Sequence, residues 1–507
     1  MLPPQRHAIS NVSIRYGTIG APTVSASPNP VDFGTVGTGL SATKTVTLTN
    51  NSAVPVTLGA PSVSAGFSAT NVPTTLASGA SATAQVKFSP TAEGVANGTL
   101  SFSVTNADGS STTSVALTGT GAVGAAGEGT PYTAVPPTRI LDTRPNNGVG
   151  PDGTKSVKVT GVGGVPANAD AVIMNVTVTE PTADGFITVY PTGTARPTAS
   201  NLNFVAGQNI ANLVTAKVGT GGQVNIYNFA GNTHVLFDVV GYFPAGGGAT
   251  SLSANAAQGG EFVPLSPARV LDTRSGSGPL GPNSSLDLQV TGNGGVPATG
   301  VAAVVMNVTG TNTTAPGFLT AWPTGQARQT TSTLNFVAGQ SVPNLAVVPI
   351  GTGGKVSIYN FDGNTDVIAD VVGYYTAAGV TVPGGGLFHA MSPLRFLDTR
   401  PEADNKTLED GGTVTTPIVG LAGIPAEAVG VVANVTATNT TVPGFLTVFP
   451  AGSAVPGTSS LNFTGHEPGV PNLVMSKLGS GAIDIFNFSP GGTTDAIVDV
   501  VGWYGPA

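Results

Sequence analysis

The 507-residue chain contains no cysteine. That excludes disulfides, thiolate metal sites and cysteine nucleophiles. Charge is also scarce, at 9% of residues, with 18 Lys and Arg against 26 Asp and Glu and a net charge of -8. No basic cluster appears, so nucleic acid is not an expected partner. No apolar run reaches the roughly 18 residues that span a bilayer as a helix. The first residues, MLPPQRHAISNVSIRYGTIG, lack the basic segment, apolar core and small-residue cleavage site of a signal peptide. The expectation is a chain neither exported by the common route nor anchored by a helix, unless a leader was removed from a precursor. Long Leu/Glu/Lys/Ala helical patterns are missing too.

What is present favours strands. Val, Thr, Ile and Phe fill the apolar segments. Apolar residues make up 40% of the chain, enough for real cores. Gly 71 and Pro 40 make the chain turn-rich, without a collagen period. The length suggests three to five domains.

Residues 1–22 read as an arm and residues 23–121 as one strand-rich domain. KTVTLTN, SATAQVKFSP and GTLSFSVTN alternate, and Asp108-Gly109 marks a hairpin turn. About seven short strands in this span predict an immunoglobulin-like sandwich. The segments VDFGTVGTGLSATKTVTLTN, VKFSPTAEGVANGTLSF and VALTGTG resemble the Hydin and abnormal-spindle group of immunoglobulin-like domains. That resemblance implies a spacer or protein-binding module, not an enzyme.

After a linker at 122–130 the chain repeats itself three times, over 131–245, 262–377 and 388–507. Linkers rich in Gly and Ala lie at 246–261 and 378–387. Each copy opens on RILDTR, RVLDTR or RFLDTR and passes a GGVPA or AGIPA turn. An apolar strand with an Asn insert follows: VIMNVT, VVMNVT or VVANVT. Then come GFITVYP, GFLTAWP or GFLTVFP; NLNF, TLNF or SLNF; and NIYNF, SIYNF or DIFNF. The copies close on DVVGYF, DVVGYY and DVVGWY. A period near 126 residues is too long for a solenoid or propeller blade, so each copy is read as a domain of roughly eight strands. Alternation in FITVYP and QVNIYNF predicts half-buried strands. The continuous run HVLFDVVGYF predicts a strand covered on both faces. The expected fold class is all-β: an immunoglobulin-like sandwich followed by three homologous β-sandwich or jelly-roll-like repeat domains. The linkers permit either a string or a pseudo-threefold cluster. The LDTR and DVVGYF pattern resembles tandem repeats on exported actinobacterial proteins and on proteins of their phages. That resemblance implies no established activity.

Motifs for chemistry are few. GTGAVG at Gly119–Gly124 has dinucleotide-binding spacing, but no helix follows to receive a pyrophosphate. NADGS at 106–110 reads as a turn rather than a calcium loop. His7, His234, His389 and His466 share no position among the copies and are read as incidental surface residues. No metal site or cofactor is expected. Asn175, Asn307 and Asn434 match a glycosylation sequon but lie in strand patterns, so they are read as structural side chains bonding to backbone. Asn212, Asn344 and Asn472 are read the same way, at a turn or a strand start.

Two carboxylates recur in every copy: Asp142, Asp272 and Asp398 in the opening motif, and Asp238, Asp370 and Asp499 in the closing strand. As a pair across a sugar bond they would make a hydrolase. The opening Asp is flanked by arginines, however, and a carboxylate in an apolar strand must find a partner or neutralise. The preferred reading is an ion-paired staple between first and last strands, with Arg139 and Arg144, Arg269 and Arg274, and Arg395 and Arg400 as the cations. Candidate sugar-stacking rings are Tyr190, Trp322 and Phe449, and at the closing motif Tyr242, Tyr374 and Trp503. Core packing plus a strand-end plug is the preferred reading for these rings.

These features predict a non-enzymatic structural or adhesive protein. The first choice is a virion surface component that docks through the N-terminal region on a virion or cell-surface protein and offers the repeats to a cell-surface glycan. A secreted actinobacterial adhesin and a polysaccharide hydrolase are the alternatives. A virion surface or extracellular location and a candidate homo-oligomer complete the expectation.

Overall fold

Val, Thr and Phe in alternation leave little choice but strand, and strands account for nearly every element of the computed structural model. The structure describes residues 21–123, 129–144, 146, 148–245 and 259–506. Most of the expected arm, His7, Gly124 and most of the linkers at 122–130 and 246–261 lie outside the described residues. The chain divides into two units, one built mainly from residues before 120 and one that contains all three repeats.

The first unit is a sandwich. One sheet orders Val24–Ser27, Ala42–Asn50, Ser81–Phe88 and Phe67–Thr70. The other orders Val31–Gly37, Gly109–Ala122, Gly94–Asn106, Val56–Leu58 and Thr75–Leu76, with Ser62–Val63 on the edge of Gly94–Asn106. Phe33, Phe67 and Phe88 meet between the sheets, with Phe67 stacked on Phe88 at 4.7 Å. The Asp108-Gly109 turn joins the two longest strands, and Asn106 Oδ1 accepts from the Asp108 amide at 2.9 Å.

Each repeat is an eight-stranded jelly roll. In the first, Thr133–Asp142 pairs with His234–Pro244, which pairs with Ala169–Thr179, which pairs with Ile210–Lys217. The facing sheet orders Gly153–Lys158, Gln223–Asn228, Gly185–Pro191 and Leu202–Phe204. Numbered along the repeat, the orders are 1-8-3-6 and 2-7-4-5, the double Greek key of a jelly roll. The second repeat follows the same orders, and the third adds a two-residue strand, Leu408–Glu409, on its closing strand. Pro136 and Pro137 fall in a register shift of the opening strand, where no ladder donor is needed. Val172, Ile187, Ile226 and Phe237 are among the residues filling the first sandwich.

The closing strand lies inside its sheet and is covered on both sides. One face looks into its own sandwich. The other joins an apolar cluster shared by all three repeats, which includes Tyr132, Phe243, Phe262, Tyr375, Phe388 and Tyr504. The repeats therefore form a cluster rather than a string. Its aromatic contacts are cyclic. Tyr132 of the first repeat lies 4.2 Å from Tyr375 of the second, Phe262 of the second 4.4 Å from Tyr504 of the third, and Phe388 of the third 4.2 Å from Phe243 of the first. Such a head-to-tail contact generates a ring when the rotation closes, and here it closes within one chain.

This packing explains the glycine of DVVG. A methyl group at Gly241, Gly373 or Gly502 would strike the ring of Tyr132, Phe262 or Phe388 respectively. The ring lies flat on the closing strand because that residue has no side chain.

Candidate functional site

The opening motif assembles on the edge strand of the first sheet. Arg139 stands opposite Asp238 in the ladder, so the two side chains share one face. Arg139 donates twice to Asp238, Nε to Oδ1 at 2.7 Å and Nη2 to Oδ2 at 2.8 Å. Arg269 grips Asp370 the same way at 2.8 and 3.1 Å, and Arg395 grips Asp499 at 2.9 and 3.0 Å. The closing carboxylates are buried, while the arginines keep a partly exposed edge. The second arginine of each motif holds the opening Asp instead. Arg144 bonds to Asp142, Arg274 to Asp272 and Arg400 to Asp398, with Nη2–Oδ2 distances of 2.5, 2.6 and 2.6 Å. The opening Asp also faces the first arginine, at 3.6, 3.3 and 3.1 Å. Each motif is thus a row of alternating charge: Arg, Asp, Arg, Asp.

The threonine between Asp and Arg has its own task. Thr143, Thr273 and Thr399 accept from the amides of Val235, Val367 and Ala496 through their hydroxyls. Thr273 and Thr399 also donate to Asp366 and Asp495 at 2.7 and 3.0 Å. In the first copy His234 occupies that position and its Nδ1 lies 3.0 Å from the Thr143 carbonyl. His389 is buried, not incidental surface. It stacks on Trp503 at 3.7 Å, and its Nε2 lies 2.8 Å from the Pro506 carbonyl.

The electrostatics follow the contacts. The Arg144 guanidinium holds the Asp142 carboxyl down to about 2, and Arg274 lowers Asp272. Burial works against Asp398, yet Arg400 and Arg395 together bring it below its ordinary value. For Asp370, burial dominates and raises the carboxyl against the pull of Arg269.

The asparagines do more than the sequence suggested. Asn175, Asn307 and Asn434 bond to backbone, but to the backbone of the next repeat. Their amides donate to the carbonyls of Ser332, Ser459 and Ser200 at 2.7, 2.8 and 2.6 Å. Asn212, Asn344 and Asn472 lie inside strands rather than at turns or strand starts. Each donates across a junction, to Asn434, Asn175 and Asn307 at 3.0, 2.9 and 2.9 Å. Each also accepts from a neighbouring backbone, Asn212 from Leu473, Asn344 from Leu213 and Asn472 from Leu345. The three junctions repeat one bonding scheme around the ring. A further set escaped the sequence reading. Asn228, Asn360 and Asn487, from the YNF or FNF motif, are buried and each donates to three nearby acceptors, for Asn487 the carbonyls of Leu408 and Glu409 and the Ser489 hydroxyl. Their threefold recurrence before Phe was the available signal.

Tyr190, Trp322, Phe449, Tyr374 and Trp503 are buried, and Tyr242 packs against the first core. Trp322 Nε1 donates back to the Gln326 carbonyl at 3.1 Å. Trp503 is covered by His389, and Tyr374 joins the core of the second repeat. Among the described residues, the exposed phenylalanine rings are Phe229, Phe361 and Phe488.

With this geometry in place the comparisons can be set beside it. Residues 21–122 match the family of Cep192 domain 4. That match agrees with the immunoglobulin-like sandwich and covers about a fifth of the chain. A search of curated proteins returned no match. Among solved structures, the chain is similar to the secreted serine protease VesC from Vibrio cholerae, at 15% identity over 44% of this chain and 51% of that one, with a TM-score of 0.16. The chain thus spans about half the length of that protease. Two further structures describe the triple jelly roll and turret assembly of an archaeal virus, at 11% identity over 74% of this chain and 91% of that one, and Sulfolobus turreted icosahedral virus, at 11% over 82% and 91%. Their TM-scores are 0.16 and 0.15.

Proposed function

We propose that this chain is a structural, non-catalytic surface protein: a pseudo-trimer of fused jelly rolls that presents weak, repeated contacts. The observation that carries this reading is the use made of the recurrent polar residues. The Arg-Asp rows tie first to last strands, and the asparagines tie repeat to repeat. Arg139 stands between Asp142 and Asp238, where a hydrolase would hold a glycosidic bond.

The first placement is the surface of a virion, with the N-terminal region docking on a particle protein and the repeats meeting a cell-surface glycan. The likeness of the LDTR and DVVGYF pattern to repeats of actinobacterial and actinophage proteins supports it. The same likeness supports a bacterial cell-surface adhesin, the second reading. Antibodies to the full chain, applied to purified phage particles and to host envelopes, separate the two. Gold label on particles supports the first and label on uninfected envelopes the second. Label on neither overturns both.

A further inference from the structure

The outer face of the 2-7-4-5 sheet carries a feature that neither the charge rows nor the junctions use. In each repeat one phenylalanine lies flat on another. Phe229 stacks on Phe186 at 4.9 Å and 13°, Phe361 on Phe318 at 4.7 Å and 15°, and Phe488 on Phe445 at 4.9 Å and 21°. The outer ring of each pair is 51, 45 and 43% exposed. Side chains around it differ among the copies, yet all three keep a half-exposed phenylalanine.

In the first two repeats the ledge continues into polar groups. Tyr227 lies 6.1 Å from Phe186, and Tyr359 lies 6.3 Å from Phe318. An arginine caps each tyrosine ring, Arg196 at 3.6 Å and Arg328 at 3.7 Å. The Tyr227 hydroxyl donates to Asp152 at 2.5 Å, and the Tyr359 hydroxyl donates to Asn283 at 2.7 Å. The Asp152 and Asn283 amides in turn donate to the Phe229 and Phe361 carbonyls, which sets these polar side chains beside the ledge. Among the described residues neither Arg196 nor Arg328 forms an ion pair with a carboxylate. The third repeat departs from this plan. Val455 stands where the arginine would be, Phe486 replaces the tyrosine, and Gly411 replaces the Asp or Asn.

We infer that the outer faces of repeats one and two are binding sites for a neutral pyranose polysaccharide, and that repeat three has lost the polar half of the site. A flat exposed ring suits the C–H face of a pyranose. The guanidinium and the carboxylate or amide oxygen supply the donors and acceptors that hydroxyl groups require, while the buried tyrosines hold those groups in place. The charge balance selects a neutral polymer. Asp152 bonds to Tyr227 and Asp184 lies two residues before Phe186 at the first ledge, and Asp362 follows Phe361 at the second, on a chain whose net charge is -8. An acidic polymer would meet these carboxylates. This inference rests on the adhesive part of the proposed function and names its ligand class and its residues.

The test is affinity electrophoresis of the full chain through gels containing mannan, dextran, arabinogalactan or polygalacturonate, with retention by actinobacterial cell walls measured in parallel. At least one neutral polymer is expected to retard the wild type. The double variant Phe229→Ala, Phe361→Ala is expected to weaken that binding about tenfold or more, because both sites of a bivalent chain are lost. The double leucine variant keeps apolar cover but removes the flat rings, and it should fall with the alanine variant. Phe488→Ala should stay within about twofold of wild type. Retardation by polygalacturonate alone, or wild-type binding by both double variants, overturns the assignment. If cell walls still retain those variants, the adhesive reading survives. Failure of the wild type to bind either walls or any polymer overturns both.

Discussion

Asn344→Ala is the sharpest test of the closed ring. Asn344 is buried where the first and second repeats meet. Its amide donates to Asn175 Oδ1 at 2.9 Å and to the Thr333 carbonyl at 2.6 Å, and its own oxygen accepts from the Leu213 amide at 3.0 Å. Truncation leaves three buried groups without that partner. A buried group that loses its partner costs about 1–3 kcal/mol. Thr333 O has a second lone pair and relaxation recovers some contact, so the sum is about 3–6 kcal/mol. The unit that melts comprises Thr120–Ala507 with Gly34–Ala42 and Ser89–Gly94. At about 2.1 cal/mol/K per residue its unfolding entropy is roughly 0.8 kcal/mol/K, so the midpoint should fall by roughly 4–8 °C. Differential scanning calorimetry of the full chain measures this. The three repeats should also melt in one transition, because they share the Tyr132–Tyr375–Tyr504 cluster. A shift below about 1 °C, or three separate repeat transitions, would refute the ring as the source of stability.

Other outcomes follow from the same contacts. Asp238→Ala removes the buried partner of Arg139 and should destabilise by about 3–5 kcal/mol in urea titration, whereas Asp142→Ala, which frees the more exposed Arg144, should cost about 1 kcal/mol or less. Equal effects would remove the distinction between the two carboxylates. Gly373→Ala drives a methyl group into the Phe262 ring and should cost about 1–3 kcal/mol by overpacking, read as a lowered urea midpoint; an unchanged midpoint would mean that the ring can move aside. Acid should also weaken the fold. The folded carboxyls of Asp142, Asp272 and Asp398 bind protons less readily than in the unfolded chain, so the unfolded state takes up more protons. Their stabilisation is present above an ordinary carboxylate value near 4 and is lost as pH falls through the folded values, about 2 for Asp142. Urea midpoints recorded from pH 5 to 2 should decline across that window, and a flat profile would contradict the ion-pair geometry.

Strand type, the repeat and the partners of the charge rows were legible because each depends on short-range pattern. Alternation in FITVYP needs a sheet, and a carboxylate inside an apolar closing strand needs a cation. The choice between Arg139 and Arg144 was not legible. It depends on register, which places Arg139 directly opposite Asp238 and leaves Arg144 beyond the ladder. What covers the candidate rings was not legible for a similar reason. Tyr190 and Trp322 alternate with the core-facing residues of their strands, yet both are buried, and sequence spacing does not show what covers them. Phe229 follows Asn228 at the end of a strand, and its exposure is set by neighbours far along the chain.

The sequence by itself determined the all-β class, the three copies and the need to neutralise buried charge, because these follow from residue chemistry and local period. Tertiary structure alone decided that the copies close into a ring. The residues that close it, Asn175 with Asn344, Asn307 with Asn472 and Asn434 with Asn212, are separated by 169, 165 and 222 positions. Asn212, Asn344 and Asn472 also donate within their own repeats, to Asn201, Thr333 and Ser460, so residue type alone does not select the neighbour. The choice of a neighbour depends on the shape of two apolar sheet faces meeting, and that shape exists only once the strands have packed.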